Sequence, residues 1–309
     1  MMSPHTRGLI IGFAAVLLFG LTVVLQAFLV DEGIRPFAAV GIRYAWSGLV
    51  CLAIVMALRR PVLPVPGERL PAVALGAIVY GLQAVLFYGA LGHGTVASVS
   101  LLFYTYPILV LVASLVLGLR RWSWLAGGSA AISALGAGLV VVSGRQVAID
   151  GIGIAMAIGS SMCVAVFLLV NSRFIPRTPA LVAATWVSFG VAASTLALAV
   201  VLGELEALSP WAWFILLVSG TTTGLGTAAM YVTLGLLGPA PTSVLLSLQT
   251  VVAIIGSALL LGQPVLAGQI LGGAAILGAI ALSAASSWRG RGRQDAGADP
   301  GQVSKIAPE

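Results

Sequence analysis

Charge is what this sequence has least of. Only 8% of its 309 residues are Asp, Glu, Lys or Arg, against 60% that are hydrophobic. So small a polar complement cannot cover a water-soluble globule of this length, and the solvent for most of the chain must be lipid. Cysteine occurs only as Cys51 and Cys163, far apart and each inside an apolar run, without the spacing of a metal or redox motif. Both read as small buried hydrophobes. The apolar runs hold no carboxylate pair, no metal-ligand cluster and no nucleophile with His and acid partners. The sequence therefore supports no enzyme chemistry, and neither a cofactor nor a metal is expected.

What the chain has instead is long apolar runs. A crossing needs roughly 20 apolar residues to span about 30 Å of hydrocarbon. Ten runs qualify: 8–30, 36–58, 71–92, 96–119, 122–143, 151–171, 180–203, 211–232, 239–262 and 266–286. The turns Gly92-His93-Gly94 and Gly238-Pro239 divide neighbours that would otherwise merge into runs too long for one crossing. No run shows the alternation of barrel strands, so the expected fold class is an all-α integral membrane bundle of ten transmembrane helices. The first run is longer than a secretory signal core and ends at Gln26 and the acidic Asp31-Glu32 turn without a small-residue cleavage site, so it reads as a retained helix.

Ten crossings sort the loops into two sets, and the basic residues separate sharply between them. Arg7, Arg59, Arg60, Arg69, Arg120, Arg121, Arg173, Arg177, Arg289, Arg291, Arg293 and Lys305 share one side, which is therefore the expected cytoplasmic side and carries both termini. Arg35 and Arg145 lie opposite, among Asp31, Glu32, Asp150, Glu204 and Glu206. A missed or invented helix would have mixed the sets. The basic tail at 287–309 reads as a cytoplasmic membrane-surface anchor; the bilayer is the expected partner, and nucleic acid is not.

An offset of about 144 residues aligns Gly118 with Gly262, Gly128 with Gly272, Ala131 with Ala275 and Ile132 with Ile276. The repeat unit is thus five helices, 8–143 and then 151–286, and an odd number of crossings inverts the second copy. Inverted repeats of this kind are typical of transporters, with a substrate site near the midplane.

These residues resemble the EamA-type proteins of the drug/metabolite transporter superfamily. The resemblance rests on Phe37-Ala38-Ala39-Val40-Gly41-Ile42-Arg43-Tyr44, on the stretch from Ala97-Ser98-Val99 through Tyr106-Pro107 to Leu117-Gly118, and on Ser243-Val244-Leu245-Leu246 through Leu260-Leu261-Gly262 with the glycine-rich 268–278. Members commonly carry an acid after the glycine ending the fourth and ninth helices, where this chain has Leu119 and Gln263. The resemblance implies two inverted five-helix repeats and a central cavity lined by helices 1, 3, 4, 6, 8 and 9. It also implies export of a small metabolite from the inner membrane, often an amino acid, with nucleotide-sugar or sugar-phosphate exchange as the family alternative; a non-transporting membrane protein, such as a receptor or scaffold, is the other reading of the residues. The resemblance fixes neither the substrate nor whether the chain is a monomer or a homodimer.

Polar groups at membrane depth mark candidate lining. Tyr80, Gln83 and Phe87 share a face by their spacing, as do Thr223, Thr227 and Tyr231; the offset pairs Gln83 with Thr227, Phe87 with Tyr231 and Thr105 with Gln249. Thr22 and Gln26 lie one turn apart, and Tyr104 sits near a helix centre. The substrate-binding candidates are therefore Gln26, Tyr80, Gln83, Phe87, Tyr104, Thr105, Thr227, Tyr231 and Gln249. Against this stands the plainer reading that hydroxyls bond their own backbone or bridge helices, and that tyrosines, Tyr106 included, sit in interfacial belts. Arg43, the one formal charge inside a run, either snorkels to the outer surface or faces inward to meet an anion. Pro107 reads as a hinge, Pro239 and Pro241 as helix starts, and Trp186 as either lining or packing. No Asp or Glu falls inside any run, so the expected transport is facilitated efflux or exchange without an intramembrane proton relay.

Overall fold

The computed structural model describes residues 3–31, 34–94, 96–118, 123–142, 149–174, 177–261, 265–279 and 282. The expectations for the 287–309 tail, for Arg120, Arg121 and Arg145, and for positions 119, 262 and 263 lie outside these residues. The helices are α1 (Pro4–Asp31), α2 (Pro36–Ala57), α3 (Arg69–Ala74), a π-helical segment (Leu75–Tyr80), α4 (Gly81–Leu91), α5 (Val96–Phe103), α6 (Tyr106–Val116) and α7 (Trp124–Val142). They continue as α8 (Gly151–Phe174), α9 (Ala180–Val201), α10 (Pro210–Leu237), α11 (Pro239–Leu246) and α12 (Gln249–Leu261), with α13 at Ala267–Ala279.

Eight helical stretches have the length and hydropathy to cross a membrane, and Trp124–Leu139 and Ala267–Ala279 are shorter apolar helices. Both expected turn sites divide helices: α4 ends at Leu91, and Gly238 adopts φ +80° between α10 and Pro239. α10 outruns its expected span because Ser209 caps its start, accepting from the Ala212 N–H at 3.1 Å, and nothing stops it before Gly238.

The exterior is apolar, and hydroxyls are buried within the hydrophobic core. Ile10, Phe13, Leu17 and Leu21 form an exposed stripe along α1, while Thr185, Ser188, Thr195, Ser219, Thr223 and Ser243 are buried. Most of these hydroxyls bond a carbonyl one turn back, as Thr195 does to Val191 O at 2.7 Å, and Ser47 and Ser188 join α2 to α9 at 3.0 Å. Cys51 is buried and Cys163 half-buried, both free thiols.

Helices of the first half pack mainly on helices of the second. α1 lies on α10 and α12, α2 on α9 and α10, and α4 on α8. Exchanging the halves maps the α1–α10 pair onto the α8–α4 pair, so the packing has the two-fold character that the glycine offset suggested. Glycine permits the closest crossings: Gly220 and Gly224 of α10 meet the backbone of α2 at Arg43 and Ser47, and Gly76 meets Gly190 of α9.

A carboxylate fastens each end of the α2–α9 pair. At one end Glu68 accepts the Arg177 and Thr178 N–H groups at 3.2 and 2.8 Å and the Thr178 hydroxyl at 2.6 Å, just before α9 begins. At the other, Glu204 accepts the Phe37 and Ala38 N–H groups at 2.9 and 3.3 Å in the first turn of α2. Each satisfies donors that no intrahelical partner reaches, where the helix dipole favours negative charge. Trp186 is a packing residue: its indole N–H donates to Val62 O at 2.7 Å, tying the 58–68 loop to α9.

His93 and Asp150 pair at 2.9 Å, and Asp150 also accepts the Gly153 N–H at 2.8 Å at the start of α8. That N–H and the imidazole hold the Asp150 carboxyl below its ordinary value. The cap is therefore present above the ordinary carboxylate range and is lost as pH falls through the lowered value.

Candidate substrate pathway

The fourth and ninth apolar runs are both broken, at equivalent places. α5 stops at Phe103 and α6 restarts at Tyr106; α11 stops at Leu246 and α12 restarts at Gln249, about 143 residues later in each case. The first break has a simple cause. Pro107 has no N–H to return to the Phe103 carbonyl, and the chain tightens, with Thr105 N bonding Leu102 O at 3.2 Å. The second break contains no proline. There Ser247 N turns to Val244 O at 3.2 Å, leaving the Ser243 carbonyl to accept the Ser247 hydroxyl at 3.3 Å and the Tyr106 hydroxyl at 3.2 Å. The breaks of the two halves thus meet through the Tyr106–Ser243 bond. Tyr106 is only 2% exposed, which removes it from the interfacial belts.

From this meeting point an aromatic track runs outward. Tyr104 and Tyr106 pack on Phe103 at centroid distances of 5.7 and 5.8 Å; Phe103 stands edge-on to Phe87 at 5.2 Å, Phe87 to Tyr88 at 5.6 Å, and Tyr88 to Phe37 at 5.6 Å. A second arm joins Tyr44, Tyr80 and Phe167 at 5.3 and 5.8 Å, with the Tyr44 hydroxyl donating to Tyr80 at 2.8 Å. Such largely edge-to-face contacts hold rings in fixed orientations.

The sequence-derived candidates divide on this frame. Tyr104, Gln249 and Phe87 come together, the Tyr104 hydroxyl lying against Gln249 and Thr250. Tyr80 joins through Phe167, whose carbonyl accepts Asn171 at 2.8 Å; Asn171 in turn accepts the Tyr231 hydroxyl at 2.8 Å. Thr105 hydrogen-bonds Ser161 at 3.1 Å besides donating to Leu102 O. Gln83 is 8% exposed, and its amide nitrogen donates to Ser160 at 3.1 Å, so it clamps α4 to α8. Gln26 donates to Thr22 O of its own helix at 3.4 Å. Thr227 is buried on α10. Sequence reasoning passed over Tyr44, Tyr88, Phe103, Ser160, Ser161 and Asn171; a polar Asn and a Ser pair inside the 151–171 run were the available signal.

Tyr231→Phe leaves the buried Asn171 oxygen without a donor. It should destabilise the protein by about 1–2 kcal/mol, measured as a lower Tm in detergent without loss of the folded peak on gel filtration.

Arg43 does not snorkel. It is 7% exposed, its guanidinium carbon lies 5.2 Å from the Tyr44 ring centroid, and it is within electrostatic reach of Tyr88. Its Nε has no hydrogen-bond partner.

A two-repeat helical bundle with an apolar exterior and buried hydroxyls is a multi-pass membrane protein. The sequence profile of the EamA-like transporter family matches it twice, over residues 6–142 and 151–285, and the chain belongs to that family. A crystal structure sharing 19% identity, covering 92% of this chain and 99% of its own, has the same fold with a TM-score of 0.76. No curated protein matches the chain.

Proposed function

We propose that this chain exports a small amphipathic solute, an amino acid or a related metabolite, across an inner membrane by alternating access between two inverted five-helix repeats. The meeting of the α5–α6 and α11–α12 breaks carries this reading. Backbone polar groups freed at membrane depth persist only where protein or a wet pathway satisfies them, and transporters place substrates at such breaks. Aromatic rims beside Tyr104, Gln249 and Tyr80 suit a solute with an apolar body and a few polar groups. Ten crossings with cytoplasmic termini follow from the arginine distribution. No Asp or Glu is buried along the track among the described residues, which favours facilitated efflux or exchange.

The test is efflux of mixed radiolabelled amino acids from preloaded proteoliposomes, comparing wild type with Gln249→Ala. Saturable efflux that falls by roughly ten-fold or more in the variant is expected, as for a lost hydrogen bond to a charged group, and a pH gradient alone should not drive accumulation. Efflux untouched by the substitution would reject the site; absence of flux for every amino acid would reject the substrate class.

A further inference from the structure

Among the described residues, Arg43 is a buried charge without a salt-bridge partner. It lies seven residues into α2 from Pro36, about 10 Å along the helix. Gly220 of α10 is pressed against its backbone carbonyl, so the residue is wedged between helices. Among the described residues it is the only Lys or Arg lying more than one turn inside a helix. No salt bridge among the described residues reaches its guanidinium, which lies over the face of Tyr44. The charged or titratable groups facing the same region are Tyr44, Tyr80, Tyr88 and Glu204. Glu204 is engaged with the Phe37 and Ala38 N–H groups at the end of α2. An isolated buried guanidinium is costly unless it is paired, and its fork of donors matches a carboxylate in two parallel bonds.

We infer that Arg43 is the anion-binding residue of the pathway and that the transported solute bears a carboxylate, held at Arg43 while its apolar body lies along Tyr44, Tyr88 and Phe87. This deepens the transport reading and rests on it. One cation balances a single negative charge, so a carboxylate fits better than a phosphate dianion, which would call for further buried bases. The aromatic faces beside the guanidinium supply the apolar contact that a small inorganic anion would not use.

The experiment uses purified full-length protein in detergent at fixed chloride and reads thermal stability, so it does not depend on flux. The probes are 3-phenylpropionate, its neutral amide, and phenyl phosphate. Wild type should be stabilised by the carboxylate at concentrations roughly ten-fold or more below those needed for the amide, the scale of a charge-assisted hydrogen bond. Arg43→Gln should erase that difference while leaving the amide response, and Arg43→Lys should restore part of it. Equal response to acid and amide, no response to either, a stronger response to phenyl phosphate, or a carboxylate preference retained in Arg43→Gln would each overturn the assignment. Should Arg43→Gln fail to fold, the wild-type comparison decides alone. A carboxylate preference without amino acid efflux would leave Arg43 assigned and reject the proposed substrate class.

Discussion

Gly190→Val should abolish the folded protein, and Gly76→Val should do the same. A Cβ at Gly76 runs into the Val187 carbonyl and the Val191 nitrogen, and one at Gly190 runs into the Val73 carbonyl and the Ala77 nitrogen. These are backbone atoms, so no rotamer change can make room. Nor can α9 retreat, because Gly41 and Gly48 of α2 are closely packed against its Leu196 and Phe189. Overpacking of this kind costs about 3 kcal/mol or more, a large part of a typical stability. The readout is the monodisperse fraction on gel filtration after solubilisation. Gly128→Ala in α7, where an added Cβ meets nothing, should purify like wild type; equal yields for all three variants would remove the tight crossing from the account. The crossing also bears on the pathway, since Gly76 sits in the π-helical segment that ends at Tyr80. π-bulges recur at functional sites because they re-aim the residues that follow.

Glu68→Ala should unlatch one end of the bundle. Its carboxylate accepts three hydrogen bonds, at 3.2, 2.8 and 2.6 Å, and their loss strands the donors ahead of α9. A loss of about 2–3 kcal/mol is expected for charge-assisted bonds to buried donors. Limited trypsin digestion gives a local reading besides Tm. The bond between the exposed Arg59 and Arg60 lies in the loop that Glu68, Thr178 and Trp186 hold down, so it should become cleavable in the variant at a protease dose that leaves wild type intact. Resistance equal to wild type would show that the loop is held without Glu68. Glu204→Gln should leave that site protected, because its contacts lie at the far end of α2.

Much of the frame was legible in advance, because hydropathy and turn chemistry are local. The divisions at Gly92-His93-Gly94 and Gly238-Pro239 and the hinge at Pro107 follow from residue type alone. The break at Ser247 does not: no proline or glycine marks it, and it depends on the Tyr106 hydroxyl arriving from the other half. The candidate site was read less well, since helical spacing gives depth and face but not the neighbour on that face. Gln83 turned out to meet a serine on α8. Arg43 had an outward and an inward reading, and its burial between α10 and Tyr44 could not be read from spacing alone.

The interleaving of the two halves bears on how the protein is made. The main partners of α1, α2 and α4 are α10, α9 and α8, so the early helices leave the ribosome well before anything exists for them to pack on. Thr22 must wait for Thr222 and Ser47 for Ser188, and until then those hydroxyls have only their own backbone to satisfy them. Assembly is thus concentrated in the second half of translation. A chain truncated after the first repeat would leave a set of inserted but loosely associated helices, exposed to the quality-control proteases of the membrane.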